Sequence, residues 1–114
     1  MKSLRGLATS IQASTALVGL GDAEGNEHGG PTYARQPVTL HAMPDTREDV
    51  TILANDVQIM FPPADTDRSV ATAILFRSDG FELLKLDVTN PRDIERGDRF
   101  GFEAEGLRVH MAVL

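Results

Sequence analysis

Three histidines are the residues of this sequence best suited by type to acid–base chemistry or metal binding: His28, His41 and His110. A catalytic nucleophile needs Ser, Thr or Cys beside a base, and a zinc site needs several converging nitrogen or sulfur ligands. None of the three histidines lies in a recognisable nucleophile motif, and their spacing does not indicate a shared metal site. We therefore expect no catalytic residue, no metal and no cofactor, and predict that the protein is not an enzyme.

An acidic loop offers a second kind of chemistry. Asp22, Glu24 and Glu27 place oxygen-bearing side chains within a glycine-rich segment at residues 21–31, a weak likeness to a calcium loop. The twelve-residue pattern that ends in a bidentate glutamate is missing. The pattern therefore favours a long exposed loop and leaves a cation site at residues 22–27 as an alternative.

The tripeptide Arg96-Gly97-Asp98 occurs in some adhesion ligands, but a glycine between polar residues predicts a turn here, leading into a strand. There is no Trp and only one Tyr, which argues against an aromatic platform for sugars or single-stranded nucleic acid.

Composition narrows the function classes further. The 114 residues include no cysteine and carry a net charge of −6. Without cysteine there is neither a disulfide framework nor a thiolate site. The negative charge argues against general binding to nucleic acid, and no apolar run approaches the roughly 18 residues of a membrane span. We expect no nucleic-acid partner and no membrane partner.

Alternation of apolar and polar residues is the main structural signal. In residues 81–88 it directs Leu84, Leu86 and Val88 inward and Lys85 and Asp87 outward. Similar patterns predict strands over residues 10–20, 33–42, 50–53, 57–61, 69–77, 99–103 and 107–113.

Two details of this pattern are specific. Residues 57–61 are expected to point Val57, Ile59 and Phe61 inward, and residues 89–93, with Pro91, to form a turn. Seven to nine short strands without an amphipathic helix predict an all-β, single-domain antiparallel β-sandwich, jelly-roll-like, with an N-terminal arm. The expected division is an arm at residues 1–9 and a sandwich domain at residues 10–114.

Several short motifs combine into a resemblance. A glycine-rich loop is followed by Tyr33-Ala34-Arg35 at the start of a strand and by a segment that ends in Phe61-Pro62. The C-terminal third adds Asp79-Gly80-Phe81-Glu82-Leu83-Leu84, Asn90-Pro91-Arg92, Gly97-Asp98-Arg99-Phe100-Gly101-Phe102 and Gly106-Leu107-Arg108-Val109. Together these motifs resemble the small β-sandwich structural proteins of tailed bacteriophages. The resemblance covers about three quarters of the chain.

The resemblance implies a structural protein of the virion, made in the host cytoplasm without export. Our main hypothesis is a capsid decoration or cement protein that binds the outer capsid surface, with the major capsid protein or other virion subunits as partners. The alternative is a tail or fibre accessory protein that acts in tail assembly or host attachment. An unrelated carbohydrate-binding sandwich is a third hypothesis, which the lack of aromatic residues disfavours.

In the main hypothesis the copies associate as dimers or trimers. Nine of the eleven basic residues are Arg, a residue enriched at protein interfaces, although a GC-rich genome would have the same effect. Met60 is a further candidate because an exposed flexible apolar side chain fits an interface. The candidate interface residues are Lys2, Leu4, Arg5 and Leu7 in the arm, with Arg35, Met60, Arg92, Arg96 and Arg99.

Overall fold

The computed structural model describes residues 11–43 and 50–112, and the fold in these ranges is almost entirely β-structure. Neighbouring strands pair antiparallel in every sheet, which confirms the expected fold class. The strands are β1 Leu17–Gly21, β2 Gln36–Pro37, β3 Leu40–Met43, β4 Val50–Asn55, β5 Ile59–Met60, β6 Arg68–Phe76, β7 Glu82–Ile94, β8 Gly101–Phe102 and β9 Arg108–Ala112.

Strand β6 lies inside the largest sheet, whose strand order is β2-β1-β6-β7. Ala73, Ile74, Leu75 and Phe76 follow one another in β6, and each is at most 3% exposed. Because successive side chains of a strand point to opposite faces, both faces of β6 are covered. This confirms the prediction of a central strand over residues 69–77.

One hydrophobic core joins the three sheets. The second sheet has the order β3-β4-β9 and the third pairs β5 with β8. The core draws Val18 and Leu75 from the first sheet, Leu53 from the second and Phe102 from the third. A jelly roll has eight strands in two sheets, so sheets of four, three and two strands do not confirm the jelly-roll detail.

The N-terminal arm and the division of the chain at residue 10 stay predictions, since residues 1–10 lie outside the described ranges. Within those ranges no helical segment combines the length and the apolar character of a membrane span.

The hairpin between β6 and β7 follows its glycine signal. Arg77 N donates to the Phe81 carbonyl at 2.9 Å, and Gly80 has a φ of 88°, a conformation that favours glycine. Asp79 accepts a side-chain hydrogen bond from Arg77 and a backbone one from Phe81, and these bonds lower the pKa of Asp79 to about 2. The predicted turn at residues 78–80 is confirmed.

The strand expected at residues 10–20 is wrong in its first half. Residues 11–14 form a turn of helix, and β1 begins only at Leu17. The hydroxyl and the backbone N–H of Thr15 both donate to the Ile11 carbonyl, at 2.7 and 3.0 Å. This local hydrogen bonding, which threonine supplies readily, outweighs the β-propensity on which the prediction rested.

The segment at residues 33–42 contributes two strands to different sheets. Strand β2 pairs with β1, whereas β3 pairs with β4. Val38 and Leu40 are buried as predicted, but Ala42 is exposed. Val38 N still donates to the Ala16 carbonyl at 3.0 Å, and the chain then crosses to the second sheet before β3 begins at Leu40.

The turn expected at residues 89–93 is instead part of β7. Val70 pairs with Arg92, whereas Thr72 pairs with Asp87, so β7 contains extra residues opposite β6. Such extra residues form a bulge. Pro91 lies in this bulge, where its missing N–H leaves no gap in the ladder. Asn90 and Pro91 therefore lie in a bulge within a long strand, and the strand continues beyond them.

Asn55, which is fully buried at the end of β4, ties the second sheet to the turn at residues 103–107. Its amide Nδ2 donates to the carbonyls of Val57 and Glu103 at 2.8 and 2.9 Å, and its Oδ1 accepts from Leu107 N at 2.9 Å. The bond to Val57 bends the chain before β5. As a result Val57 is 64% exposed, and the expectation that it points inward is wrong.

We predict that Asn55→Asp lowers the free energy of unfolding by about 3 kcal/mol, because a buried carboxylate has no N–H for the carbonyls of Val57 and Glu103. Gln58→Glu is the matched control: it makes the same change from amide to carboxylate at an exposed position three residues after the end of β4. Urea unfolding followed by circular dichroism measures both variants. Equal stability of the two variants would contradict the role given to Asn55.

Candidate functional site

The candidate functional site is a groove beside β7, which we call the β7 groove. It has a volume of about 180 Å³ and lies between β7 and the segment that carries β8 and its turn into β9. Its lining residues are Ala73, Leu86, Asp87, Val88, Asn90, Arg92, Phe100, Gly101, Phe102, Glu103, Gly106, Leu107 and Arg108.

The floor of the β7 groove is apolar. Phe100, Phe102 and Leu107 are buried, and the two phenylalanine rings meet edge to face with centroids 5.2 Å apart. Leu86 and Val88 pack against the same core but stay partly exposed. The groove is therefore a place where the interior between the sheets reaches solvent.

The rim of the β7 groove is charged with both signs. Asp87, Arg92, Glu103 and Arg108 are all exposed. The guanidinium of Arg92 lies 5.7 Å from the centroid of the Phe100 ring, which is within the range of a cation–π contact. Mixed charge around an apolar centre is typical of protein–protein contact surfaces, where a polar rim surrounds a desolvated core.

Strand β7 is the last strand of its sheet. Its inner edge pairs with β6, and among the described residues no strand pairs with its outer edge. An edge strand presents a row of backbone N–H and C=O groups that can bind another strand. The alternating charges of Lys85 and Asp87 are the kind of feature by which edge strands limit unspecific pairing.

The glycine-rich loop at residues 21–31 covers part of the outer face of the same sheet, which points away from the core. Thr72 Oγ1 donates to the Asp22 carbonyl at 2.7 Å, and the loop returns to β1 through a bridge between Gly21 and Glu27. This loop shields the outer face of β1 and β6. The loop was expected to be exposed, but Gly25, Glu27 and His28 are only partly exposed.

The loop is held by a cluster around Glu27. Arg35 donates to both carboxylate oxygens of Glu27, at 2.9 and 2.8 Å, and Tyr33 Oη donates to Oε2 at 2.5 Å. Tyr33 Oη also accepts from Leu20 N at 3.0 Å. Bidentate arginine–carboxylate pairs combine strength with fixed geometry, so this cluster fixes the loop to β1.

The Glu27 cluster needs a glycine beneath it. A Cβ added to Gly19 would lie 2.6 Å from both Glu27 Oε2 and Tyr33 Oη. Arg35 closes the cluster on the other side, with its guanidinium carbon 3.6 Å from the centroid of the Phe76 ring. Nothing in the glycine pattern of the sequence distinguishes Gly19 from the turn glycines that follow it.

Burial and hydrogen bonding act in opposite directions on Glu27. Burial raises the pKa of its carboxyl group, and the hydrogen bonds from Arg35 and Tyr33 lower it, with the lowering dominant. For Tyr33 the two effects agree: burial and the hydrogen bond to the Glu27 carboxylate both raise the pKa of the phenol. The cluster therefore contains an ionised carboxylate and a neutral phenol at neutral pH.

The candidate interface residues fall in separate places. Arg35 is engaged in the Glu27 cluster, while Arg92 lines the β7 groove. Arg96 and Arg99 are exposed at the turn and loop that precede β8. Lys2, Leu4, Arg5 and Leu7 lie outside the described residues. Their interface roles stay predictions.

Met60 is 42% exposed and belongs to β5. It stands opposite Gly101 in the pairing of β5 with β8, and a Cβ added to Gly101 would lie 3.0 Å from the Met60 sulfur. Met60 therefore lies beside β8. On β8 and directly before it, Phe102 and Phe100 form part of the floor of the β7 groove. Of the predicted residues, Met60 and Arg92 contact the segment at residues 100–102 from other strands, and Arg99 directly precedes it in the chain.

The residues first considered for chemistry have other contacts. His28 Nε2 donates to the Ser69 carbonyl at 2.7 Å, while His41 Nε2 is 3.9 Å from Glu105 Oε1. Asp22 Oδ1 accepts from the backbone N–H groups of Glu24 and Asn26, each at 3.0 Å. In the part of the chain that the structure describes, no three His, Asp or Glu residues are grouped as a metal site requires.

A comparison with family models places the chain in a known family of phage proteins. The model described as Podophage GP4 fiber I protein gp80 matches residues 8–110, which is most of the chain. No curated protein and no solved structure matches the chain. The match supports the predicted resemblance to phage structural proteins, and it favours the fibre alternative over the capsid decoration hypothesis.

We predict that the Glu27 cluster makes the fold sensitive to acid. Because the folded-state pKa of Glu27 lies below the ordinary value of a glutamate, its contribution to stability is present at pH values above that ordinary value and is lost as the pH falls through the lower folded-state pKa. Glu27→Gln should therefore flatten the acid side of the curve of unfolding free energy against pH and lower stability by about 1 kcal/mol at pH 7.

Urea midpoints measured between pH 3 and pH 7 test this expectation. Glu24→Gln is the control, since Glu24 belongs to the same loop but its side chain is exposed. An acid limb that keeps its slope in Glu27→Gln would show that the cluster does not stabilise the fold.

Proposed function

The chain belongs to the family of the Podophage GP4 fiber I protein gp80, and we propose that it is a virion structural protein of the phage tail fibre apparatus. It acts by binding neighbouring subunits, and its task is assembly or attachment, with no catalytic step. The observation that carries this proposal is the family match over residues 8–110.

The geometry supports a binding role in two ways. The β7 groove combines an apolar floor with a rim of both charges, which suits contact with another protein. The adjoining strand β7 offers backbone hydrogen-bonding groups at a sheet edge, a common means of joining protein segments. Both features belong to one continuous surface, so a single partner segment can use them together.

The covered side of the sheet supports the same proposal. The Glu27 cluster fixes the loop over β1 and β6, so that side presents a rigid polar surface. A fibre component that transmits force between neighbours benefits from a fold in which one sheet edge is reserved for contact. The chain carries a net charge of −6, and a net charge of this size limits unspecific association of small proteins.

The capsid decoration hypothesis differs from this proposal in a measurable way. A decoration protein covers the head and is present in hundreds of copies, whereas a fibre component is confined to the tail and is present in tens. Location and copy number therefore separate the two functions without any assumption about the host receptor.

We predict that antibodies against this chain label the tail end of purified virions in immunogold electron microscopy. Quantitative mass spectrometry of the same particles should give tens of copies per virion. An antibody against the major capsid protein is the control, and it should label the head. Label spread evenly over the head, at hundreds of copies per particle, would contradict the fibre proposal and restore the decoration hypothesis.

A further inference from the structure

We infer that the outer edge of β7 is a homotypic contact, at which β7 of one copy pairs antiparallel with β7 of a second copy about a twofold axis centred on Leu86. The inference begins from the position of β7 as the last strand of a four-stranded sheet. Pairing of two such edges joins the sheets of two copies into one sheet of eight strands. It concerns the chain itself, and it does not depend on where in the virion the chain is found.

The faces of β7 restrict the possible registers. Leu86 pairs with Ala73 and Leu84 with Leu75, and Leu84, Leu86 and Val88 pack against the core. Lys85 and Asp87 point to the opposite face and are exposed. A register that placed core-facing residues opposite outward-facing ones would turn apolar side chains to solvent. Only registers that match like faces of the two strands remain.

Charge selects one register among those. If the axis passes through Lys85, two lysines stand directly opposite each other, and if it passes through Asp87, two aspartates do. With the axis at Leu86, Lys85 of each copy stands opposite Asp87 of the other, which forms two cross-strand pairs of opposite charge. Opposite charges in directly opposed positions stabilise antiparallel pairing, and like charges destabilise it.

The same register continues the apolar face. It places Leu84 opposite the partner's Val88, and Leu86 opposite the partner's Leu86. In the single chain these three residues are only partly buried, and Leu86 and Val88 line the β7 groove. The partner's row of Leu86 and Val88 lies along the open side of the groove and extends its apolar floor. Burial of this surface adds to the backbone hydrogen bonds as a source of affinity.

The regular part of β7 sets the extent of the contact. Pairing of β7 with β6 is regular over residues 84–87, between the register shift at Leu75 and Phe76 and the bulge that begins with Val88. A contact centred on Leu86 therefore spans residues 84–88, and at each end Leu84 of one copy meets the first bulge residue of the other. Five residues from each copy make a short contact, so the affinity of an isolated pair is modest. In an assembly that presents many copies together, a modest contact is strengthened by the high local concentration.

Charge exchange tests the register. Lys85→Asp and Asp87→Lys each replace two opposite-charge pairs with two like-charge pairs, so each should weaken dimerisation about tenfold or more in sedimentation equilibrium. The double variant Lys85→Asp/Asp87→Lys restores opposite charges across the axis and should recover most of the affinity. Asp56→Lys is the control, because it makes the same charge change at an exposed position outside β7. Circular dichroism confirms folding of each variant.

A cysteine cross-link gives an independent measurement, since the chain contains no cysteine. Leu86→Cys should form a disulfide-linked dimer under mild oxidation, whereas Lys85→Cys should not, because only residue 86 meets itself at the axis. Three results would overturn the inference: a wild-type chain that stays monomeric at all concentrations, a double variant as weak as the single ones, or cross-linking through Cys at position 85 in place of position 86.

Discussion

Pairing of β6 on both sides is the constraint on which the rest of the structure depends. This strand is buried on both faces and lies between β1 and β7, so every other feature of the largest sheet is arranged around it. Its five consecutive buried residues, from Thr72 to Phe76, need cover on both faces. The shared core covers one face, and the glycine-rich loop helps to cover the other. A buried strand of this kind has no tolerance for a shift of register, because a one-residue slip reverses its faces.

The two edges of the largest sheet differ in what lies beyond them. Beyond β1, strand β2 continues the sheet. Beside it the carboxylate of Glu27 binds Arg35 and Tyr33 and so holds the glycine-rich loop in place. Beyond β7 no further strand of the described chain follows, and the core reaches the surface at the β7 groove. This asymmetry leaves the described part of the domain with one covered flank and one flank at which a strand edge and an apolar groove are open to contact.

Much of this fold could be predicted from the sequence because period-two alternation reports burial directly. The inward positions of Leu84, Leu86 and Val88 and the turn at Gly80 are confirmed. Local patterns failed where a distant contact or a competing local hydrogen bond decides the conformation. Pro91 indicated a turn, but pairing with β6 carries β7 through it as a bulge, and the β-branched residues after residue 10 could not reveal that Thr15 completes a helical turn.

The candidate site was less accessible to prediction for the same reason. Arg92 was singled out for its residue type, but Glu103 and Arg108 join it only through the packing of the β8 segment against β7. Asn55 carries no sequence signal of its role, since one of its partners is 52 residues away. The partners of Glu27 are only six and eight residues away, but no pattern in the loop predicts that its chain folds back to bring them together. The exposed alternation of Lys85 and Asp87 was the one signal of an edge strand, and its value became clear only with the strand order.

Amide hydrogen exchange measured as a function of protein concentration tests the central claim most directly. If the edge of β7 joins two copies, amides in residues 84–88 become more protected as the concentration rises, while those of β6 are protected throughout. The contradictory result is association of the chain, shown by sedimentation in the same samples, with no change of protection in residues 84–88.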